Sequence, residues 1–253
     1  MGLILVGTGL WDERDISLRG LDALKQSDII YAERYTSEKK EGTLERLEAL
    51  CGKGITVLSR EEVEEGKRIM DEAERRKVSL VVAGDPMIST THVSLKLEAH
   101  RRGIPFKVIH SSSILSAAIS ESGLHTYKFG RPVTLPFWSE KYKPTTTYDV
   151  IRENSERGLH TLLFLDLKDG VGMRAHEAFS LLRKMEKEKK CGVISDKTML
   201  VTLSRVGSEE QKVAYGPLEL LEKAELGEAP FIMIVLGKLH FTEEEALGIY
   251  AVK

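Results

Sequence analysis

The chain has 253 residues, enough for one large α/β domain or two smaller ones. Its 37 basic and 39 acidic side chains leave a formal net charge of −2, which argues against a nonspecific nucleic-acid binder, because such proteins carry a clustered excess of lysine and arginine. Two distant cysteines, Cys51 and Cys191, argue against a disulfide framework or a zinc site, and the longest apolar run, Phe231–Leu236, is far too short to span a bilayer.

In chain order, the first strand is Leu3–Val6, running into Gly7-Thr8-Gly9-Leu10 and the charged stretch Trp11–Asp15. The start Met1–Val6 lacks a basic opening and a long apolar core, so no signal peptide is expected and the protein is expected in the cytoplasm. Ser17 reads as a helix N-cap, with Leu18, Leu21 and Leu24 expected on one buried face. A strand Ile29–Ala32, a helix Thr43–Leu50 and a strand Ile55–Leu58 follow. Glu61–Lys77 predicts one long charged helix with Val63 and Met70 on a narrow apolar stripe. The next strand, Leu80–Ala83, ends in Gly84-Asp85-Pro86-Met87. Helix Thr91–Arg102 then closes at Gly103, and strand Phe106–Ile109 completes the first half. Short apolar runs alternating with amphipathic segments predict βαβ units and a parallel sheet.

The second half is less regular. His110-Ser111-Ser112-Ser113 leads into a small-residue helix, Ile114–Ser120, that stops at Gly123. The prolines and aromatics between Phe129 and Pro144 predict an edge strand and loop. Helices are expected over Thr147–Arg157, Arg174–Lys189 and Pro217–Lys223, and strands over Thr161–Asp166, Met199–Leu203 and Phe231–Leu236. The serine run is the best domain junction, dividing the chain into α/β domains 1–112 and 113–253 with a ligand cleft expected between them.

Ligands in open parallel sheets sit beyond the carboxyl ends of the strands. Two strands that end in Gly/Asp turns therefore suggest two walls of one site. Gly7-Thr8-Gly9 lacks the third glycine of a dinucleotide fingerprint, and taken alone it reads equally well as a tight turn. Asp12 and Asp15 stand where a pyrophosphate would need uncharged N–H donors, so the acidic turns suit a ligand with amine, hydroxyl or cationic groups. Asp85 either caps its own turn or holds a ribose hydroxyl or amine; both readings stand at this point. His92 and His110 could face the same cleft. No Ser/His/Asp set, H-x-x-x-H pair or G-x-S-x-G elbow is present, so nucleophilic hydrolysis and metal catalysis have little support.

Five ordered segments resemble one family. They are Val6–Ser17, Ala32-Glu33-Arg34-Tyr35-Thr36-Ser37, Gly84-Asp85-Pro86 with Thr90-Thr91-His92, Gly123–Gly130 and Gly158–Asp166. As a set the chain resembles the diphthine synthases in their compact archaeal form, relatives of the tetrapyrrole methylases, from the first strand to about Lys238. The resemblance implies a two-domain tetrapyrrole-methylase-like α/β fold with a mainly parallel N-terminal sheet and a mixed C-terminal sheet. It further implies a homodimer, with S-adenosylmethionine in the cleft and S-adenosylhomocysteine as product. The implied reaction is repeated methyl transfer to the α-amino nitrogen of a 3-amino-3-carboxypropyl-histidine on translation elongation factor 2, giving diphthine.

Carried over position by position, the implied cofactor contacts are Leu10, Asp85, Ile88, Ser113, Ile114, Leu165, Val206 and Phe231. Where relatives have Pro-Pro-His-Ile this chain has Ala229-Pro230-Phe231-Ile232, which keeps a backbone contact and loses an imidazole one. No catalytic side chain is assigned. Asp12 and His92 are candidates to take a proton, and Arg14, Arg34, Tyr35, Lys128 and Lys141 are candidates to dock the protein substrate. The alternatives are a precorrin or uroporphyrinogen methylase of the same fold and a noncatalytic nucleotide-binding module. The turn Gly7-Thr8-Gly9-Leu10 speaks against the first, whose turn typically reads Gly-Pro-Gly-Asp.

Overall fold

The structure, a computed structural model, describes residues 1–253 except Thr36, Glu38, Glu140, Asp169 and Lys253, so Thr36 of the second family segment lies outside the described residues. The chain divides into two compact units, Met1–Ile114 and Leu115–Lys253.

The first unit runs β1 (Gly2–Gly7), α1 (Leu18–Lys25), β2 (Ile29–Ala32), α2 (Thr43–Cys51), β3 (Thr56–Val57), α3 (Arg60–Glu65), α4 (Lys67–Ala73), β4 (Lys77–Val82), α5 (Val93–Arg101) and β5 (Phe106–Ile109). Its five strands are all parallel in the order β3-β2-β4-β1-β5. Helices cover both faces. Ala23, Leu24, Leu47 and Cys51 from α1 and α2 pack on Val6, Ile30, Ala32 and Val81. Val63, Ile69, Met70, Leu95 and Ala99 from α3, α4 and α5 pack on Leu3, Leu5, Val78, Leu80 and Val82. Burial on both sides is why β1 and β4 read as continuous apolar runs rather than as alternating strands. The one polar residue inside β4 is satisfied: Ser79 bonds the Ser27 hydroxyl at 2.7 Å, and Ser27 in turn donates to Ala23 O at 2.8 Å.

Two sequence expectations change here. The Ser17 cap is present, accepting from Gly20 N at 3.0 Å. Leu18, however, is 83% exposed, and the buried face of α1 is Gly20, Ala23 and Leu24. The long helix expected over Glu61–Lys77 breaks at Gly66, whose φ of +66° ends α3 and opens α4. A side chain there would come within 2.7 Å of the Leu95 Cδ2 atom, so the glycine serves both the left-handed backbone and the contact with α5. The break also frees Lys77 to begin β4.

The second unit takes up α6 (Ile114–Ser122) after its first residue and continues with β6 (Val133–Leu135), α7 (Thr146–Glu156), β7 (Thr161–Leu165), β8 (Leu167–Lys168), β9 (Val171–Gly172), α8 (Ala175–Lys189), β10 (Met199–Ser204), β11 (Lys212–Pro217), α9 (Leu218–Leu221), β12 (Phe231–Val235) and α10 (Phe241–Gly248). Its mixed sheet has the order β11-β10-β12-β7-β6, parallel only between β6 and β7, with β6 at the edge that the prolines predicted. Leu135, Leu163, Leu200 and Met233 form a core with Tyr148, Ile151, Phe179 and Leu182 from α7 and α8. Sequence reasoning missed β11, α10 and the β8–β9 hairpin. The reason is visible in β11: Lys212-Val213-Ala214-Tyr215-Gly216-Pro217 has two weak strand formers at its end, and its outer edge is covered only by the distant Tyr250–Val252 segment, through Tyr215.

Two of the family segments are used inside this unit. Glu243 on α10 is fully buried and accepts from Lys128 Nζ, His125 N and His240 N, each at 2.8 Å. Burial opposes its ionisation, but the ammonium and the N–H donors outweigh that and hold its carboxyl at about 2. Gly237 N donates to His160 Nδ1 at 3.0 Å, so the imidazole proton sits on Nε2 and faces Glu243 Oε1 at 3.3 Å. Burial keeps His160 below its ordinary value, and the ring is neutral. The histidines and lysine of Gly123–Gly130 and Gly158–Asp166 thus anchor the C-terminal helix. Lys128 is engaged there, which removes it from the docking candidates.

Candidate ligand site at the strand ends

In the first unit β1 lies between β4 and β5, and the chain leaves β1 and β4 toward opposite faces of the sheet, to α1 and α5. Such a divergence opens a crevice at the carboxyl ends of the two strands. Both Gly/Asp turns sit there and touch. Gly84 N donates to Gly9 O at 2.8 Å and Gly9 N to Gly84 O at 3.4 Å, an isolated antiparallel bridge between parallel strands.

The glycines are required by space and backbone. A Cβ on Gly7 would meet Gly84 O at 2.6 Å, Ser111 Cβ at 2.8 Å and Pro86 Cδ at 3.0 Å. Gly9 has φ +70°, and a Cβ there would lie 2.5 Å from Asp15 Cβ. Thr8 fastens the turn to the neighbouring strand, donating from both N (2.9 Å) and Oγ1 (3.1 Å) to Val82 O.

The acidic residues after the turn mostly hold one another's backbone. Asp15 Oδ2 accepts from Trp11 N at 2.6 Å and from Asp12 N at 3.3 Å. Asp12, 3% exposed, accepts from Arg14 N at 3.0 Å and from the Arg14 guanidinium at 2.7 Å, with Lys40 at 3.9 Å. The Arg14 hydrogen bond holds its carboxyl below the usual carboxylate range, which makes Asp12 a poor proton acceptor. Lys39, which carried no signal in the sequence, donates to Thr8 O at 3.1 Å and Gly9 O at 2.6 Å. Burial lowers the pKa of that ammonium to about 8.

Asp85 is 8% exposed at the end of β4. Its Oδ1 accepts from Met87 N at 3.0 Å, and its Oδ2 from His110 Nδ1 at 2.8 Å and Ser111 N at 3.3 Å. The carboxylate therefore caps its own turn and also ties the end of β4 to the end of β5, with lone-pair capacity left on Oδ1. His92 is 1% exposed and donates from Nδ1 to Pro86 O at 2.8 Å, where Thr90 Oγ1 also donates at 2.8 Å. Its Nε2 is sealed and has no partner among the described residues. His92 thus pins the Pro86–Thr90 turn, and the geometry does not fit it for taking a substrate proton.

The implied cofactor residues fall into two groups. Leu10, Asp85, Ile88, Ser113 and Ile114 all follow the carboxyl ends of β1, β4 and β5. Leu10, Ser113 and Ile114 are half-buried, and Ile88 is 39% exposed, an apolar side chain presented beside the buried carboxylate. Leu165, Val206 and Phe231 belong to the second unit and share one end of its sheet. Phe231 pairs with Ser204, two residues before Val206, and Leu165 and Phe231 flank the paired Phe164 and Ile232. Of the docking candidates in the first unit, Arg34 is exposed, the Arg14 guanidinium bonds Asp12, and Tyr35 has its hydroxyl buried. Lys141 in the second unit is exposed. Among the described residues no group of three or more His, Cys, Asp or Glu is arranged to hold a metal ion.

A family model described as Tetrapyrrole (Corrin/Porphyrin) Methylases matches residues 2–222. The diphthine synthase of Methanocaldococcus jannaschii is 43% identical over 250 residues, covering 97% of this chain and 97% of the relative. That of Methanosarcina mazei is 43% identical over 251 residues, covering 97% and 94%. A crystal structure of a diphthine synthase superposes with a TM-score of 0.90 at 37% identity, covering 98% of this chain and 95% of the other.

Proposed function

The chain belongs to the diphthine synthases, methyltransferases of the tetrapyrrole methylase family, and from that membership we propose a specific reaction. The enzyme transfers methyl groups from S-adenosylmethionine to the α-amino nitrogen of 3-amino-3-carboxypropyl-histidine on translation elongation factor 2. It works in the cytoplasm as a homodimer. Among the described residues, no helix is long and apolar enough to cross a membrane.

The observation that carries the reading is the Gly9–Gly84 pairing, which gathers Leu10, Asp85 and Ile88 at one sheet end. The donor set suits this cofactor. Gly84, whose Cβ position is open to 3.9 Å, leaves bare backbone for close approach, and a buried carboxylate with spare lone-pair capacity stands at the same strand end as Leu10 and Ile88. S-adenosylmethionine carries amine, hydroxyl and sulfonium groups and no phosphate, in keeping with the acidic turns. When bound it supplies an electrophilic methyl group on a good leaving group, so no protein nucleophile is required.

The work left to the chain is positioning. Backbone groups at Leu10, Ser113 and Ile114 hold and orient the cofactor, and Leu165, Val206 and Phe231 are the contacts assigned to it from the second unit. Asp85 takes one of its polar groups. Correct alignment alone is worth on the order of 7–11 kcal/mol in favourable cases. The attacking amine must be unprotonated, and the apolar side chains of Leu10, Ile88 and Ile114 disfavour the ammonium form by excluding water. The proton leaves by water, since Asp12 is ion-paired and His92 is sealed.

The test is methyl transfer to elongation factor 2 bearing the unmethylated modified histidine, read by mass spectrometry of the modified peptide. Successive additions of about 14 Da per methyl group are expected on that residue. No transfer to the factor, together with methylation of a uroporphyrinogen or precorrin, would overturn the reading.

A further inference from the structure

Arg205 follows the last residue of β10 with a φ of +46°, a backbone region that costs a branched or long side chain free energy and costs glycine none. What its side chain holds explains its presence. Arg205 N donates to Pro230 O at 2.9 Å, and Nε donates to Ala229 O at 3.1 Å. The far end of the guanidinium bonds Glu210 on one side and Glu228 on the other. The Arg205 side chain is 24% exposed and its bond to Ala229 O is partly buried, whereas Glu210 and Glu228, 66% and 75% exposed, meet it at the surface. One residue thus staples the end of β10 to the loop Glu228–Pro230 that delivers Phe231.

Val206 is the next residue along one chain segment, and Phe231 is the next along the other. We propose that Arg205 is a positioning residue for the cofactor: its clamp sets the spacing of the Val206 and Phe231 backbones that contact S-adenosylmethionine. The proposal rests on the reading that those two residues contact the cofactor. The backbone hydrogen bond to Pro230 survives any substitution, so the distinctive part is the guanidinium on Ala229 O, Glu210 and Glu228. Lysine reaches only one of those acceptors at a time.

The test is Arg205→Gly, which accepts the positive φ and removes only the side chain. Calorimetry with S-adenosylmethionine and steady-state methyl transfer are compared with the wild-type enzyme. The Kd and the KM for the cofactor are expected to rise about tenfold. The kcat and the KM for the protein substrate stay within about twofold, a split that general loosening of the fold does not produce. Arg205→Lys recovers part of the loss. A Kd for Arg205→Gly within about twofold of wild type overturns the proposal. Should that variant not fold, the double variant Glu210→Gln with Glu228→Gln leaves Arg205 in place without its ion partners. It is expected to weaken cofactor binding about threefold, and unchanged binding overturns the proposal equally. Wild-type enzyme that does not bind S-adenosylmethionine overturns the cofactor reading itself, and with it the role given to Arg205.

Discussion

Replacing Gly7 with alanine puts one methyl group between the two turns that build the first half of the site. The backbone of Gly7 lies outside the left-handed region, so alanine adopts it without torsional strain, and the effect is one of space alone. The new Cβ would sit 2.6 Å from Gly84 O, 2.8 Å from Ser111 Cβ and 3.0 Å from Pro86 Cδ. Two of those are a backbone carbonyl and a proline ring, neither of which can rotate away. The chain must therefore spread at the ends of β1, β4 and β5, stretching the 2.8 Å Gly84–Gly9 hydrogen bond. Overpacking of this kind costs about 1–3 kcal/mol, which for a chain of this size lowers Tm by roughly 2–10 °C. Because Leu10 and Asp85 hang on the spread turns, affinity for S-adenosylmethionine should fall about tenfold or more, equivalent to roughly 1.4 kcal/mol. Gly248→Ala is the control: nothing lies within 4 Å of a Cβ there, and it should change Tm by no more than a degree or two. Scanning calorimetry and cofactor titration measure both effects. If Gly7→Ala matches wild type in stability and in cofactor affinity, the steric account of the turn is wrong.

Asp85→Ala removes the acceptor for Met87 N, Ser111 N and His110 and should weaken cofactor binding by about tenfold to a hundredfold, with a stability loss of about 1–3 kcal/mol. Unchanged titration heats would assign Asp85 to turn capping alone. Glu243, held at about 2 when folded, contributes stability that is fully present above the ordinary carboxylate range and is lost as pH falls through 2. Glu243→Gln should therefore cost about 3 kcal/mol at pH 7 and flatten the acid limb of the urea-midpoint profile; a parallel, unflattened limb would contradict the network. Lys39 has the opposite sign, because its lowered folded value disfavours folding while it is charged. Stability should rise from pH 8 toward 10.5 by up to about 3 kcal/mol relative to Lys39→Met, and the two curves running parallel across that window would refute the burial.

The first sheet was largely legible. Ile29–Ala32 and Phe106–Ile109 appear at their expected limits, and β1 and β4 within a few residues of theirs. Strands buried on both faces read as unbroken apolar runs, and glycine turns announce themselves by residue type. The misreadings came from assuming a single periodic stripe. Leu18 fits a three-residue spacing yet faces solvent, because α1 meets the sheet through Gly20, where a Cβ would come within 3.1 Å of the Val6 side chain. The charged run Glu61–Lys77 hides a left-handed Gly66 whose need is set by Leu95 on another helix. Lys39 and Arg205 were invisible as site residues, since each acts on carbonyls that lie 24 to 31 residues away in the chain.

The amino-acid sequence by itself determined the family segments, the α/β alternation and the two Gly/Asp turns, because these depend on local residue type and short periodicity. Only the tertiary structure decided that Gly9 bonds Gly84, that Asp85 reaches His110 and Ser111, and that Glu243 gathers Lys128, His125 and His160. Those contacts join residues 25 to 118 positions apart. They form when the strand order and packing of each unit bring distant carboxylates, amides and cations together in its own desolvated interior, where partnerless polar groups are too costly to bury.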